Sequence, residues 1–177
     1  VGIQQINAQF TRRDSLQGGL RIERTSYDVK RYDLNITINP EQKSIKGFNE
    51  ITFEVMVPTQ KIQLDLFDNM KVDSIIWNTK KLKYVRDNDA VFIDFPEKLT
   101  SKSNHKLKFY YSGNPRIARN APWDGGFVFS KDKAGKDFIA VAVQGTGASL
   151  WYPVKDSQTD EPDNGASIKV AAPNGLM

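Results

Sequence analysis

The clearest pattern along the chain is an alternation of apolar and polar residues with a period of two. Every second residue is apolar over 32–38 and again over 51–57, and the residues between them are mostly polar. Shorter segments at 62–66 and 107–111 repeat the pattern. Because successive side chains of a strand point to opposite faces of a sheet, this spacing predicts strands with one buried face and one solvated face.

Further short strands are predicted over 71–77, 80–85 and 90–95, where turn residues separate the apolar runs. A buried strand is predicted over 138–143, and a last strand over 167–172. No segment carries a sustained apolar stripe at the helical period of about 3.6 residues, which disfavours α/β architectures. The prediction is therefore an all-β fold, an antiparallel sandwich of short strands.

The pattern also suggests a division of the chain. Residues 1–25 have weak periodicity and are predicted to form an N-terminal arm that wraps the sheet, whereas residues 26–177 form the β domain. Residues 112–126 are rich in Gly, Pro and Asn and are predicted to form an ordered loop. Because the chain stops shortly after the turn signal Asn174-Gly175, it is expected to be part of a longer protein.

Composition and charge exclude several classes of function. The 25 Lys and Arg residues exceed the 21 Asp and Glu residues by a net charge of +4, but the two signs are interspersed along the chain. No long basic stripe is present, so nucleic acid is not an expected partner. The absence of cysteine excludes disulfides and thiolate metal sites. No apolar run approaches the roughly 18 residues of a membrane helix, so no membrane span is expected.

The residues offer little for metal or hydrolytic chemistry. His105 is the single histidine, whereas a catalytic zinc usually has three protein ligands, so no metal site is predicted in the chain. The polar stretch 155–165 could gather around calcium or could be a solvated turn; its carboxylates are Asp156, Asp160, Glu161 and Asp163. A glycosidase-like pair of Asp124 with Glu161 is a further alternative, which requires the two carboxyl groups to face each other across a cleft.

The segment Gln144-Gly145-Thr146-Gly147 follows the strand predicted over 138–143. It matches neither the Walker pattern nor the dinucleotide-binding pattern of glycines. Two interpretations remain from the residues alone. The glycines could form an ordinary turn at the end of a strand, or they could let the backbone bend sharply beside a ligand while Gln144 supplies an amide.

Several segments occur in an order that is characteristic of one family. They are YDLNITINP at 32–40, IKGFNEITF at 45–53, IQLDLF at 62–67, YSGNP at 111–115, PWDGGF at 122–127, QGTGASLWYP at 144–153, and then KD at 155–156 and DEP at 160–162. Together they resemble the aminopeptidase N family of zinc metallopeptidases, and the segment at 122–127 is similar to bacterial members. The most specific piece is the one that begins at Gln144.

The resemblance implies a saddle-shaped N-terminal β domain that packs against a thermolysin-like catalytic domain of the same polypeptide. The His-Glu-x-x-His zinc motif of that catalytic domain is absent here. The chain is therefore expected to be non-catalytic, inactive by itself and unable to bind zinc, which belongs to the parent enzyme. The parent is expected to be a secreted or periplasmic bacterial protease that removes N-terminal residues from peptides. The trio Trp151-Tyr152-Pro153 is expected to dock on the catalytic domain.

The resemblance also implies substrate-binding residues. Gln144 matches a glutamine that lines the pocket for the free α-amino group of the substrate, where an amide oxygen can accept a hydrogen bond from the ammonium. Thr146 stands where relatives often have Glu or Gln, and Gly145 and Gly147 are expected to keep this wall of the cleft slim. The alternative function is a stand-alone β-sandwich module that binds a glycan or a protein. That module should lack the exposed apolar docking face that the domain of a larger enzyme requires.

Overall fold

The computed structural model describes residues 10–173, which fold into two layers of β-strands with short helices at one side. The elements are α1 (Arg12–Gly18), α2 (Ile22–Thr25), β1 (Tyr27–Asn39), β2 (Ser44–Val55), β3 (Thr59–Asp65), β4 (Met70–Trp77), β5 (Lys80–Lys81), β6 (Lys83–Asp87), β7 (Ala90–Leu99), β8 (Asn104–Gly113), β9 (Gly126–Lys131), β10 (Asp137–Ala142), a 3-10 helix (Ala148–Leu150) and β11 (Ala166–Ala171). None of the helices in this range is long and apolar enough to cross a membrane.

The strands form three sheets within the described residues. The largest has the order β11-β1-β2-β8-β4-β5, the second the order β3-β7-β6, and the third pairs β10 with β9. The predicted all-β fold with antiparallel sheets is confirmed. One departure lies at the edge of the largest sheet, where β11 runs parallel to β1. That sheet is therefore mixed rather than purely antiparallel.

The core lies between the two larger sheets and follows the predicted alternation. The apolar residues of β1, β2, β3 and β8 point inward and are almost fully buried: Tyr32, Leu34, Ile36, Ile51, Phe53, Val55, Ile62, Leu64, Leu107, Phe109 and Tyr111. The alternation predicted over 51–57 ends early, because β2 stops at Val55 and Val57 is 46% exposed.

An irregularity in β1 keeps both of its halves facing the core. The pairing of β1 with β2 shifts between Val29 and Arg31, as a β-bulge does. As a result Val29 and Tyr32, three positions apart, are both buried. Lys30 is the extra residue, and its ammonium contacts the carboxylates of Asp28, Glu54 and Asp163. The bulge therefore changes which residues face inward without breaking the sheet.

The strand predicted to be buried over 138–143 is present as β10, but the prediction of burial is wrong. Phe138 is 54% exposed and Val141 is 39% exposed. Phe138 and Val141 are three positions apart on β10 and therefore point to opposite sides of the hairpin. Phe129 and Ile139 pack against the core, so the hairpin is only partly covered and its other apolar side chains meet solvent.

A second correction concerns Trp151-Tyr152-Pro153, which were expected to dock on another domain. Trp151 and Pro153 are buried, and the Trp151 ring packs against Phe127 and Tyr152 inside this domain. The Pro153 carbonyl accepts a hydrogen bond from the buried Asn49 amide at 2.8 Å. These residues therefore attach their segment to the core of the domain itself.

The N-terminal arm predicted over 1–25 is described from residue 10 onward, and residues 1–9 and 174–177 lie outside the described range. Thr11 caps α1 in a capping box with Asp14, and Leu16 is buried. The polar face of β3 lies beneath this region, so Gln63 and Asp65 are buried although the alternation predicts that they face solvent. The division between arm and domain at residue 25 stays a prediction.

Candidate functional site

Gln144 opens a tight turn that follows β10. The backbone N–H groups of Thr146 and Gly147 both donate to the Val143 carbonyl, at 3.1 and 3.0 Å. Gly145 and Gly147 have φ values of +70° and +80°, a left-handed region that other residues adopt at a steric cost. Gln144 is exposed, and within residues 10–173 its side-chain amide has no hydrogen-bond partner. The turn therefore presents a free amide on a defined backbone.

The turn packs closely against two distant segments of the chain, one at Gly125 and one at Asp156. A Cβ placed on Gly125 would lie 1.9 Å from the Thr146 Oγ1, and a Cβ on Gly147 would lie 2.1 Å from an Asp156 Oδ2. Real Cβ atoms do not approach other atoms so closely, so a side chain at either glycine would displace the side chain of Thr146 or of Asp156. A Cβ on Gly145 would meet nothing within 4 Å. Close packing therefore favours glycine at position 147. At position 145 only the left-handed backbone favours glycine.

The loop that carries Gly125 is ordered by the carboxylate of Asp124. This carboxylate accepts hydrogen bonds from the backbone N–H groups of Arg119 and Asn120, both at 2.7 Å. These bonds lower the pKa of Asp124, because they favour its charged form. Both carboxylate oxygens of Asp124 are therefore used to stabilise its own loop. This arrangement disfavours Asp124 as one member of a glycosidase pair.

A shallow pocket of about 640 Å³ lies beside the turn. It is lined by three of the four predicted residues together with side chains from four other segments: Gly145, Thr146, Gly147, Gln17, Phe67, Arg116, Val143, Asp156 and Gln158. Gln144 is not among the lining residues. No motif in the sequence connects Gln17, Phe67 or Arg116 with the turn, so their place in the pocket follows only from the fold.

Asp156 joins the turn to a group of buried polar residues. The Asp156 Oδ2 accepts hydrogen bonds from the Ser149 N–H at 3.1 Å and from the Ser149 hydroxyl at 2.6 Å. The Asp156 N–H donates to the Asp65 Oδ2 at 3.1 Å, and the Asp156 carbonyl accepts from Arg24 at 2.6 Å. We call Arg24, Gln63, Asp65 and Asp156 the polar cluster.

An ion pair lies at the centre of the polar cluster. Arg24 and Asp65 approach to 3.1 Å, and each side chain is only 3% exposed. Gln63 donates to the Asp65 Oδ1 at 2.7 Å and to the Leu16 carbonyl at 3.1 Å. Burial raises the pKa of Asp65 to about 6, although Arg24, Gln63 and the Asp156 N–H favour the ionised form. The arm and the segment after the turn thus meet at one desolvated charge pair.

The acidic stretch that could have bound calcium is instead divided among separate partners. Asp160 pairs with the buried Lys155, whose ammonium also donates to the Tyr27 carbonyl at 2.6 Å. Asp163 pairs with Lys30 at 2.7 Å. Nowhere in the described part of the chain do three or more His, Cys, Asp or Glu side chains gather in a group that could hold a metal ion.

His105 does not stand in a metal-binding arrangement either. Its Nε2 lies 2.7 Å from the Ser103 hydroxyl, and its ring packs near those of Phe53 and Trp77. Burial lowers the pKa of His105, which favours the neutral ring. Residues 10–173 thus give no fit for a catalytic zinc ion.

Apolar side chains are exposed on the elements that flank the turn. They belong to the loop before β9, to β10 and to the residue just before Gln144, and we call them the apolar face: Ile117, Trp123, Phe138, Val141 and Val143. Trp123 is the most exposed of them, at 71%. Phe138 and Val141 are three positions apart on β10 and therefore point to opposite sides of the hairpin. Exposed large apolar side chains gathered on neighbouring elements commonly mark an interaction site.

Comparison with known families gives a match over most of the chain. The family model described as the peptidase M1 N-terminal domain matches residues 28–173. A search of the curated proteins finds no significant match. The family match covers both sandwich sheets, the turn and the segment that follows it.

Solved structures share this fold. An M1 zinc metallopeptidase from Deinococcus radiodurans aligns with a TM-score of 0.62 and 22% identity, covering 84% of this chain and 33% of that one. Leukotriene A4 hydrolase from Saccharomyces cerevisiae aligns with a TM-score of 0.65 and 15% identity, covering 84% of this chain and 24% of that one. The chain thus spans a third or less of the length of these proteins, and at such identities the likeness establishes the fold.

Proposed function

The chain belongs to the peptidase M1 family through its N-terminal domain, and we propose that this domain forms one wall of the substrate cleft of a zinc aminopeptidase. In this proposal Gln144 faces the free α-amino group of a peptide substrate. The domain itself carries out no bond cleavage. Since the described residues offer no zinc site, the metal of such an enzyme would be held by residues outside them.

The observation that supports this role is the presentation of Gln144. Its amide is exposed and unpaired within residues 10–173, on a turn whose backbone is closed by two hydrogen bonds to Val143. An amide oxygen accepts a hydrogen bond from an ammonium group, and hydrogen bonds to charged groups are stronger than neutral ones. A rigid turn that carries such an acceptor suits recognition of a peptide N-terminus.

Thr146 and the two glycines have supporting roles in the proposal. The Thr146 hydroxyl donates a hydrogen bond to the Val143 carbonyl at 3.1 Å and so stabilises the turn. Gly145 and Gly147 provide the left-handed backbone, and Gly145 leaves open space on its outer side. A peptide end could approach the backbone closely at this point.

The apolar face supports the part of the proposal that concerns a larger protein. We propose that it packs against the catalytic domain of the same polypeptide, next to the turn. A stand-alone glycan- or protein-binding module would instead leave these side chains in solvent when its ligand is absent. The proposal also includes secretion or a periplasmic location of the parent enzyme.

Substitution of Gln144 in the intact enzyme tests the proposal. Gln144→Ala should lower kcat/KM for peptides with a free N-terminus by about tenfold to a hundredfold, the range for loss of a hydrogen bond to a charged group. Gln144→Glu keeps an oxygen acceptor and should retain most of the activity. The measurement is steady-state kinetics on a set of free-amine peptides.

The matched control is Gln42→Ala, which removes an exposed glutamine in the β1–β2 turn. It should leave kcat/KM unchanged. Equal kinetics for Gln144→Ala and the unsubstituted enzyme across the peptide set would remove Gln144 from the substrate pocket.

A further inference from the structure

We propose that Asp156 is a positioning residue, which sets the geometry of the turn that carries Gln144. This inference rests on the proposed function for its catalytic consequence, but its structural basis is independent of it. In this inference Asp156 acts through the turn. Because its carboxylate also lines the pocket beside the turn, the double substitution below separates this action from direct contact with a substrate. The inference is based on the hydrogen bonds that Asp156 makes with Ser149, Asp65 and Arg24.

The carboxylate of Asp156 lies directly behind the turn. One of its oxygens accepts both the N–H and the hydroxyl hydrogen bonds of Ser149, which is fully buried. The same oxygen lies only 2.1 Å from the position that a Cβ on residue 147 would take, so Gly147 leaves room for the carboxylate. Gly147 and Ser149 are separated by one residue, so the carboxylate packs closely against the first and hydrogen-bonds to the second at the exit of the turn.

The main chain of Asp156 is itself immobilised. Its N–H donates to Asp65 and its carbonyl accepts from Arg24, and these two side chains form the buried ion pair of the polar cluster. Just before it, Val154 and Asp65 exchange two backbone hydrogen bonds, at 2.8 and 3.1 Å. Asp156 therefore connects the turn to β3 and to the arm.

The geometry assigns the positioning role to the acceptor oxygen rather than to the negative charge. Ser149 offers two donors to this oxygen, and an asparagine oxygen could accept both of them. An alanine would accept neither and would leave the buried Ser149 hydroxyl unpaired. The two substitutions should therefore have different effects, which a role in general electrostatics would not produce.

The experiment compares Asp156→Ala and Asp156→Asn in the intact enzyme by two readouts. Hydrogen–deuterium exchange should rise in the peptide that covers 143–149 for the Ala variant and stay near its original rate for the Asn variant. For free-amine peptides the Ala variant should lose about tenfold in kcat/KM, a typical cost of a misplaced contact group, and the Asn variant no more than about twofold.

Combining the substitutions tests whether Asp156 acts through Gln144. If it does, Gln144→Ala with Asp156→Ala should have almost the same kcat/KM as Gln144→Ala alone, because residues that act as a unit are not additive. The control is Asp163→Ala, which removes a carboxylate from the same acidic stretch and should change neither readout. Fully multiplicative losses in the double variant would overturn the inference.

The two proposals fail in different ways. If Gln144→Ala leaves the kinetics unchanged, the proposed function fails, and exchange in residues 143–149 then decides on Asp156 alone. Unchanged exchange in the Asp156→Ala variant overturns the positioning role, whatever the kinetics. Faster exchange that is confined to 143–149 and is restored by Asn supports it.

Discussion

The polar cluster and the apolar face reverse the usual relation between residue type and burial. In the polar cluster, an Arg, a Gln and an Asp of the arm and β3 are almost fully buried. In the apolar face, large apolar side chains on the loop before β9 and on β10 are exposed. The comparison shows that burial here depends on what covers a surface. The first surface has its cover within this domain, whereas the second has none among residues 10–173.

The two regions also differ in how they are held together. Every member of the polar cluster has at least one hydrogen bond to another part of the chain, which offsets the cost of removing charge from water. The apolar face has no such requirement, because apolar atoms in water carry only the modest cost of exposed area. Buried polar groups need hydrogen-bond partners within the same domain. Exposed apolar side chains have no such need and can remain in solvent until another surface covers them.

Breaking the buried ion pair should have the largest effect on stability. Arg24→Met leaves the Asp65 carboxylate buried without its cation, and the free energy of unfolding should fall by about 3–5 kcal/mol. The measurement is urea denaturation followed by tryptophan fluorescence. Lys61→Met is the control, because the Lys61–Asp94 pair is 45% and 40% exposed and should contribute less than about 1 kcal/mol. Equal losses for the two variants would contradict a special role for burial.

The pH dependence of stability should also distinguish the buried carboxylate of Asp65 from the exposed carboxylates. The pKa of Asp65 is raised to about 6 in the folded protein, above the value of about 4 in an unfolded chain. The folded state therefore binds this proton more tightly, so the contribution of Asp65 favours folding at low pH and is lost as pH rises from about 4 to about 6. The stability of the unsubstituted protein relative to Asp65→Asn should decrease over that interval by at most about 3 kcal/mol.

Measuring denaturation midpoints of both proteins at several pH values provides this difference directly. The exposed carboxylates, which titrate in both proteins, cancel in the comparison. A difference that stays constant between pH 4 and 6 would show that burial does not raise the pKa of Asp65.

The smallest predicted effect concerns the apolar face. If the catalytic domain covers it, Val141→Ser in the intact enzyme should lower the free energy of unfolding by about 1–2 kcal/mol, because a buried apolar contact is lost. Val85→Ser is the matched control, since Val85 is 59% exposed on β6, and its effect should stay within about 0.5 kcal/mol. Similar small effects for both valines would indicate that the face remains in solvent.

The sequence could predict the strands because period-two alternation directly reflects the geometry of a sheet. It could not predict the burial of Gln63 and Asp65, since the alternation of β3 says nothing about the arm that lies over its polar face. For the same reason the apolar composition of β10 predicts a buried strand, whereas Ile139 alone packs against the core and Phe138 and Val141 are exposed. Local pattern identifies elements, and contacts between distant elements decide their exposure.

The candidate site shows the same limit. The residues alone indicate either an ordinary turn or a sharp bend beside a ligand at Gln144, and the resemblance adds the role in a substrate pocket. The turn packs closely where Thr146 meets Gly125 and where Gly147 meets Asp156, and no spacing rule links these positions. Arg116 and Gln17 reach the pocket from other segments and have no motif at all.

The parallel pairing of β1 with β11 has a consequence for the order of folding. Asp33 on β1 and Ser167 on β11, which hydrogen-bond to each other, are 134 residues apart in the chain. Contacts of such long range form slowly, because a large loop must close before they contribute. During synthesis on the ribosome β1 can pair with β2 early, but its other edge stays unpaired until nearly the whole domain has emerged. For that interval the nascent chain presents an open strand edge, the surface that chaperones protect from pairing with other chains.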